Sequence, residues 1–294
     1  MSLQVAYNTL VSSLVLGVIY SLVALGYVVV YRASRVFNFA QPSFMLFGAL
    51  LVTTLRTGDG VVPFVTAVVL STVVIGLSGS VVYVLTVHKS VGQPHWVQMV
   101  LTMGLSIAGL NLAQLLWGPE VRFVEPPLSH VRWQLPGGAI FTRTDLIVVL
   151  TGVVLCAVLY WLLTVSPLGI RLRATAENAT LASYSGIRLR RWFAIAWGIA
   201  AAAAVVAGVS YTLRVPLDPS LAEVGLVAFP AAMIGGMDSI EGCFVGALIL
   251  AAIQQYSSVL WGVQASTAVT FGAVLVILVV RPRGLFGAPI SDRV

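Results

Sequence analysis

Charge is what this chain has least of: Asp, Glu, Lys and Arg make up 9% of it, against about 25% in an ordinary soluble domain. Lysine occurs once, at Lys89, where it follows His88 with no glycine pattern before it. Without a Gly-rich loop ending in Lys-Ser/Thr, the chain does not bind and hydrolyse a nucleotide by a P-loop. No His and Glu stand at the helical spacing of an intramembrane metalloprotease. No acidic residue falls in the middle of a long apolar run, where ion-coupled carriers and proton pumps commonly place one. Cysteine is nearly absent too. Cys156 and Cys243 lie inside apolar runs, where a free thiol behaves as a small hydrophobe, and two such residues give neither a disulfide framework nor a metal set. Catalysis and a cofactor are therefore not expected, and energy for any work must arrive from another subunit.

What is present is apolar. Hydrophobic residues reach 59% and the mean hydropathy is +1.00, the composition of an integral membrane protein. The charges cluster between long uncharged runs, so helices rather than barrel strands span the bilayer. The net charge of +6 does not point to nucleic acid, because the arginines sit at the ends of apolar runs and form no basic face. The amino terminus lacks a basic leader, and its apolar run to Tyr31 exceeds a signal-peptide core, so it reads as a retained first span.

A helix rising about 1.5 Å per residue needs about twenty residues to cross a hydrocarbon core of about 30 Å. Runs 8–31, 37–55, 61–87, 97–117, 146–165 and 192–213 meet that length, and Gly242 to Val280 divides into two near Tyr256 to Gly262. A shorter segment, 224–237, makes nine candidates. The expected fold is an all-α polytopic membrane protein with about nine transmembrane helices, alternatively eight, two of them short or broken, arranged as an inverted repeat. Residues 1–294 form a single transmembrane domain. With the amino terminus outside, eleven Lys and Arg fall on the cytoplasmic side and five outside, as the positive-inside rule requires of nine crossings. Trp96, Trp117, Trp161, Trp192 and Trp261 fall near span ends, where indoles anchor.

Two spans are abnormal. In Phe37-Asn38-Phe39-Ala40-Gln41-Pro42-Ser43, proline can start a helix but not continue one, so the helix proper begins near Pro42. The segment from Gly225 stops at Gly235-Gly236, followed by Met237-Asp238-Ser239. A pair of short, Gly/Pro-interrupted segments is the sequence pointer to a translocation path, here through Asn38, Gln41, Pro42, Ser43, Gly235, Gly236, Asp238 and Ser239. The alternative is an interfacial turn at the end of a short span. Polar residues within spans, Tyr20 with Tyr27, Asn111 with Gln114, and Gln254 with Gln255, either line that path or bond between helices. Small residues four apart, as in Ser13/Gly17/Ser21, Ala200/Ala204/Gly208 and Gly242/Gly246, let helices approach closely.

Five arginines crowd Pro167 to Arg191, which interrupts two apolar runs. Its middle, Ala174 to Ser185, is a helix former too short and polar to cross, and Gly186 ends it. A surface helix flanked by Arg171 and Arg173 before and Arg188, Arg190 and Arg191 after needs a partner or a lipid surface. A proline at Ala179 should break it.

Three sets of residues together resemble the permease subunits of branched-chain amino acid ABC transporters. They are Gly17-Val18-Ile19-Tyr20-Ser21-Leu22-Val23-Ala24-Leu25-Gly26-Tyr27 with Val36-Phe37-Asn38-Phe39-Ala40; Gly169-Ile170-Arg171 through Ala176-Glu177-Asn178 to Gly186-Ile187; and Ala228-Phe229-Pro230-Ala231-Ala232-Met233-Ile234-Gly235-Gly236 with Ser239-Ile240-Glu241-Gly242. The resemblance implies a subunit of the prokaryotic cytoplasmic membrane. Its partners would be two cytoplasmic ATPases, a second homologous permease (making a heterodimer or a homodimer), an external solute-binding protein and membrane lipid. It further implies that 167–191 is the cytoplasmic coupling loop, with Arg171, Arg173, Ala176, Glu177, Asn178, Leu181, Gly186 and Arg188 meeting an ATPase. Many members continue Asn-Phe-Ala with His-Gly-Glu where this chain has Gln41-Pro42-Ser43, and glycine is common where it has Asp238. Relatives also carry urea and short amides, so the solute class stays open between these and branched-chain amino acids. A self-sufficient carrier or channel and an intramembrane enzyme are the competing classes.

Overall fold

The computed structural model describes residues 2–57, 62–124, 131–134 and 138–287. The first helix, α1 (Leu3–Ser34), starts where the Ser2 side chain accepts the Val5 N–H, and stops at Arg35, whose left-handed φ of 58° turns the chain. At 32 residues it is about 48 Å long, more than the core needs. It is apolar all round, which is the pattern of a buried helix. It runs through the middle of the molecule, with α5 (Arg143–Thr164), α8 (Leu189–Thr212) and α11 (Ile240–Trp261) packed around it.

Extended residues lead from Arg35 to α2 (Gln41–Thr57), which carries Pro42 in its first turn, where a missing N–H costs nothing. Next come α3 (Phe64–Leu85), a 3-10 turn (Val87–Ser90) and α4 (His95–Trp117). A small antiparallel hairpin of β1 (Arg132–Gln134) and β2 (Ile140–Thr142) precedes α5. After α5 lie two short helices, α6 (Pro167–Glu177) and α7 (Ala179–Tyr184), and after α8 the pair α9 (Leu221–Val227) and α10 (Phe229–Gly235). α11 and α12 (Val263–Val280) complete the described helices.

Seven of these, α1, α3, α4, α5, α8, α11 and α12, are long and apolar enough to cross a membrane. The other two expected spans are the short ones: α2 has 17 residues, and α9 with α10 covers Leu221–Gly235. The second of these is broken twice, at the expected Gly235-Gly236 and also at Ala228, where Pro230 in the first turn of α10 cannot donate to the turn before it.

Contacts between element ends sort the molecule into two poles. At one, Gln4 donates to the Gly138 carbonyl, Tyr256 to the Ala6 carbonyl and Trp117 Nε1 to Thr54, and Arg122 pairs with Leu217. At the other, Thr175 donates to the Ala33 carbonyl, Arg35 pairs with Asp238, and Leu285 and Phe286 donate to the Ile234 and Gly235 carbonyls. α9 therefore starts at the first pole and α10 ends at the second, so this short segment runs from one pole to the other, in keeping with the expectation of about nine spans. Ten of the Lys and Arg of the described residues lie at the second pole (Arg32, Arg35, Lys89, Arg171, Arg173, Arg188, Arg190, Arg191, Arg281 and Arg283) and five at the first.

One local expectation is corrected. Ala174 to Ser185 is not a single helix: Asn178, extended at φ −155° and ψ 98°, ends α6 and caps α7 by accepting the Leu181 N–H at 2.9 Å. An Asn side chain that offers the backbone an alternative acceptor breaks a helix in this way. Gly186 does end the segment, at φ 82°.

Candidate functional site

The first break is a buried polar knot. Asn38 and Gln41 have no exposed surface. Asn38 Oδ1 accepts the Ala40 N–H, Asn38 Nδ2 donates to Gln41 Oε1 at 3.5 Å, and Gln41 Nε2 donates to the Ala200 carbonyl of α8 at 2.9 Å. Ser43 donates to the Ser106 carbonyl of α4 at 3.0 Å, and Pro42 lies against Gly225 of α9. The polar atoms that an unwound segment exposes at membrane depth are thus met by neighbouring helices, as lipid cannot meet them.

The second group, Gly235, Gly236, Asp238 and Ser239, sits at the Arg-rich pole. Gly236 adopts φ 101°, which only glycine reaches easily, and the chain after α12 packs directly on it. Ser239 caps α11 by accepting the Gly242 N–H at 2.9 Å. Asp238 pairs with Arg35, and this ion pair ties the second break to the end of α1.

Between the knot and the ion pair stands a half-buried group of rings that the sequence reading did not single out. Phe229, at the Ala228 interruption, meets Tyr27, Phe37 and Phe39 with centroids 5.2, 5.4 and 5.2 Å away, and Phe37 stacks on Tyr31. Tyr27 also donates to the Gly225 carbonyl at 3.0 Å. The structure therefore brings the two abnormal segments together through Phe37, Phe39 and Phe229. The expected residue sets themselves stay apart, one at the knot and one at the pole.

At the Arg-rich pole α6 is anchored inward. Its Gly169, Leu172 and Thr175 are buried, Arg173 donates to the Leu163 and Thr164 carbonyls at the end of α5, and Arg171 lies 4.8 Å over the Trp192 ring. Arg173 and Ala176 are half-buried, whereas Arg171, Glu177, Asn178, Leu181, Gly186 and Arg188 are exposed. Beside them Leu181 and Tyr184 stand 62% and 83% exposed, held away from the body of the chain at the Arg-rich pole. A pocket of about 380 Å³ opens next to α6, lined by Arg35, Tyr83, His95 and Gln98 among others.

The opposite pole holds a cavity of about 540 Å³, walled by α1, α8, α9, α11 and α12. Tyr20 of α1 donates to Gln254 Oε1 of α11 at 2.5 Å on its wall, so two of the intramembrane polar residues legible in the sequence meet each other. Arg214 and Glu223, which sequence reading passed over as loop charges, line it as well. Arg214 Nε is held 2.9 Å from Asp145 Oδ1, and Asp145 is itself fixed in a capping box with Thr142 at the start of α5. Asn111 and Gln114 lie on the exposed face of α4 and line no part of this cavity. Among the described residues no group of three or more His, Cys, Asp or Glu could hold a metal ion.

Residues 9–280 match the family described as branched-chain amino acid transport system, permease component. The high-affinity branched-chain amino acid transport system permease protein LivH of Escherichia coli (strain K12) is 30% identical over 299 residues, covering 95% of this chain and 94% of that protein. BraD of Pseudomonas aeruginosa, with the same description, is 29% identical over 306 residues and covers 97% of each. The solved structure of PsaBC from Streptococcus pneumoniae in complex with Fab aligns over 96% of this chain at 12% identity, with a TM-score of 0.49. By this match over most of its length, the chain belongs to the branched-chain amino acid transport permease family.

Proposed function

We propose that this chain is the membrane-spanning subunit of an ABC importer for branched-chain or related small amino acids, working in the cytoplasmic membrane of a prokaryote. The observation that carries the reading is the Arg-rich pole: α6 is bolted to α5 and α1, and α7 holds Leu181 and Tyr184 away from the body of the chain. Exposed apolar side chains in that position are the mark of a docking surface. The pole is the cytoplasmic one by the positive-inside rule. Residues 167–191 then form the coupling loop, with Arg171, Arg173, Ala176, Glu177, Asn178, Leu181, Gly186 and Arg188 seated in or beside an ATPase subunit. Closure of two ATPases would push on α7, and the α6 anchors would pass the push to α1 and α5.

In this reading a solute-binding protein delivers at the opposite pole, and a second homologous permease completes the path. The path descends from the outer cavity past the Phe37–Phe39–Phe229 rings to Arg35 and Asp238, with Asn38, Gln41, Pro42 and Ser43 holding one wall and Gly235, Gly236 and Ser239 shaping the exit. On this reading the chain moves solute only when its motor is present.

The test is uptake of radiolabelled L-leucine into proteoliposomes that hold this chain, its partner permease, the ATPases and the binding protein. Uptake should require ATP and every component. Vectorial uptake by this chain alone, or uptake that follows an ion gradient without ATP, overturns the reading in favour of a self-sufficient carrier.

A further inference from the structure

The outer cavity has the chemistry of a site. At about 540 Å³ it falls within the range of small-molecule pockets, and both aliphatic and polar residues line it. Leu16, Val215, Val224 and Val227 supply aliphatic surface. The polar groups on it are held in place by partners that leave part of each uncommitted. The Arg214 guanidinium is positioned through its Nε by Asp145, which is 4% exposed, and the ion pair engages that one edge of the five-donor fork. Gln254 is oriented by the Tyr20 hydroxyl on its Oε1, so its Nε2 presents two donors and meets no acceptor among the described residues. Glu223 forms no ion pair among the described residues, although it lines the same cavity.

A carboxylate without a cation, an amide donor without an acceptor and a guanidinium with a spare edge are an incomplete set. An acyl chain cannot complete it, because polar groups against hydrocarbon lose their water and gain no hydrogen bond. An α-amino acid can. Its carboxylate takes the Arg214 edge and the Gln254 amide, its ammonium takes Glu223, and an aliphatic side chain lies on the four apolar residues. Charge-assisted hydrogen bonds are shorter and stronger than neutral ones, and they gain further where water is scarce.

We propose that this cavity is a receiving site for a zwitterionic α-amino acid with an aliphatic side chain, using Arg214 and Gln254 for the carboxylate and Glu223 for the ammonium. The proposal rests on the importer reading and adds a binding step within the permease to delivery by the external protein. Tyr20 acts through Gln254 as a positioning residue.

The experiment uses the complete importer in nanodiscs without its binding protein, and measures equilibrium binding of tritiated L-leucine against two competitors. One is 4-methylpentanoate, which lacks the ammonium, and the other is 3-methylbutylamine, which lacks the carboxylate. Wild type should bind leucine saturably and prefer it to either analogue by about tenfold or more, the scale set by losing one charged contact. Glu223→Gln should abolish the preference for leucine over the carboxylate analogue, and Gln254→Leu should reduce the preference over the amine, with Arg214 still holding the carboxylate. Glu223 is exposed, so its neutralisation removes no packing, and ATP hydrolysis by each variant checks that the complex is assembled. If wild type transports leucine with the binding protein but binds none in its absence, or if both variants keep the wild-type preference, the site is overturned and the importer stands. If the complete wild-type assembly transports no amino acid, the importer reading falls and the site falls with it.

Discussion

The Gln41 side-chain amide occupies the space that a Cβ on Gly26 would need: its Nε2 lies 1.8 Å from that position. Gly26→Ala must therefore expel the amide from the buried knot and break its bond to the Ala200 carbonyl. Overpacking of this kind costs about 1–3 kcal/mol. The expected result is a lower thermal midpoint for the detergent-purified protein. Gln41→Ala vacates the contested space, so adding it to Gly26→Ala should cost less than the sum of the two single changes. Additive losses would mean that the residues do not compete.

Arg35 and Asp238 join the end of α1 to the second break, and their side chains are 42% and 36% exposed. Exposed ion pairs are worth at most about 1 kcal/mol, so neither Arg35→Asp nor Asp238→Arg should move the thermal midpoint far. Asp is among the residues that tolerate the left-handed backbone at position 35. Uptake is the sensitive readout, because the pair holds the cytoplasmic mouth of the proposed path together. Each single reversal should lower L-leucine uptake and the double reversal should restore it. Failure of the double to restore would place the roles of the two residues elsewhere.

Asp145 is the most enclosed charge at the outer pole, serving both Arg214 and the Thr142 cap. Removing one partner of a fully buried pair typically costs about 3–5 kcal/mol, and the loss here is smaller because the Arg214 side chain left behind is 26% exposed. Asp145→Ala, which removes both the ion pair and the cap, should therefore lower the thermal midpoint. Asp145→Asn keeps a side-chain oxygen for the α5 cap and should lose less. Equal losses would show that the cap contributes little and the charge dominates.

The spans were legible because twenty uncharged residues have few soluble alternatives, and the start of α2 was legible because Pro42 permits little else. The orientation of the arginines and the end of the surface segment at Gly186 followed from equally local rules. Hydropathy could not reveal that α1 is the hub, since a helix apolar on every side looks the same whether lipid or protein surrounds it. Tyr20 and Gln254 were visible as polar residues in separate spans, but only the fold shows that they meet. Phe229 was hidden for the opposite reason: an aromatic in an apolar run carries no signal until the Ala228 interruption aims it at Phe37 and Phe39. Arg214 and Glu223 lie outside the long apolar runs, so they read as loop charges until the packing of α8 and α9 turned them onto a cavity wall.

The Asn178 junction separates the mechanical role of the surface segment from its stability. Leu172, 2% exposed, holds α6 to the body, and Leu172→Ala should cost about 2–5 kcal/mol. Leu181→Asp and Tyr184→Ala change side chains that touch little of the chain, and surface changes of that kind stay within about 0.5 kcal/mol. Both should nevertheless uncouple ATP hydrolysis from L-leucine uptake in the reconstituted importer. Proline sharpens the distinction. Ala179 is the first residue of α7 and follows an extended Asn178, which is the one backbone setting in a helix that suits proline, so Ala179→Pro should leave α7 intact, contrary to the expectation for a single continuous helix. Ala182→Pro removes the bond from the Ala182 N–H to the Asn178 carbonyl and should unwind α7. Coupled transport in the 179 variant and its loss in the 182 variant, with both proteins inserted, is the outcome that ties force transmission to the α7 helix. Coupling retained by the 182 variant would remove α7 from the mechanism.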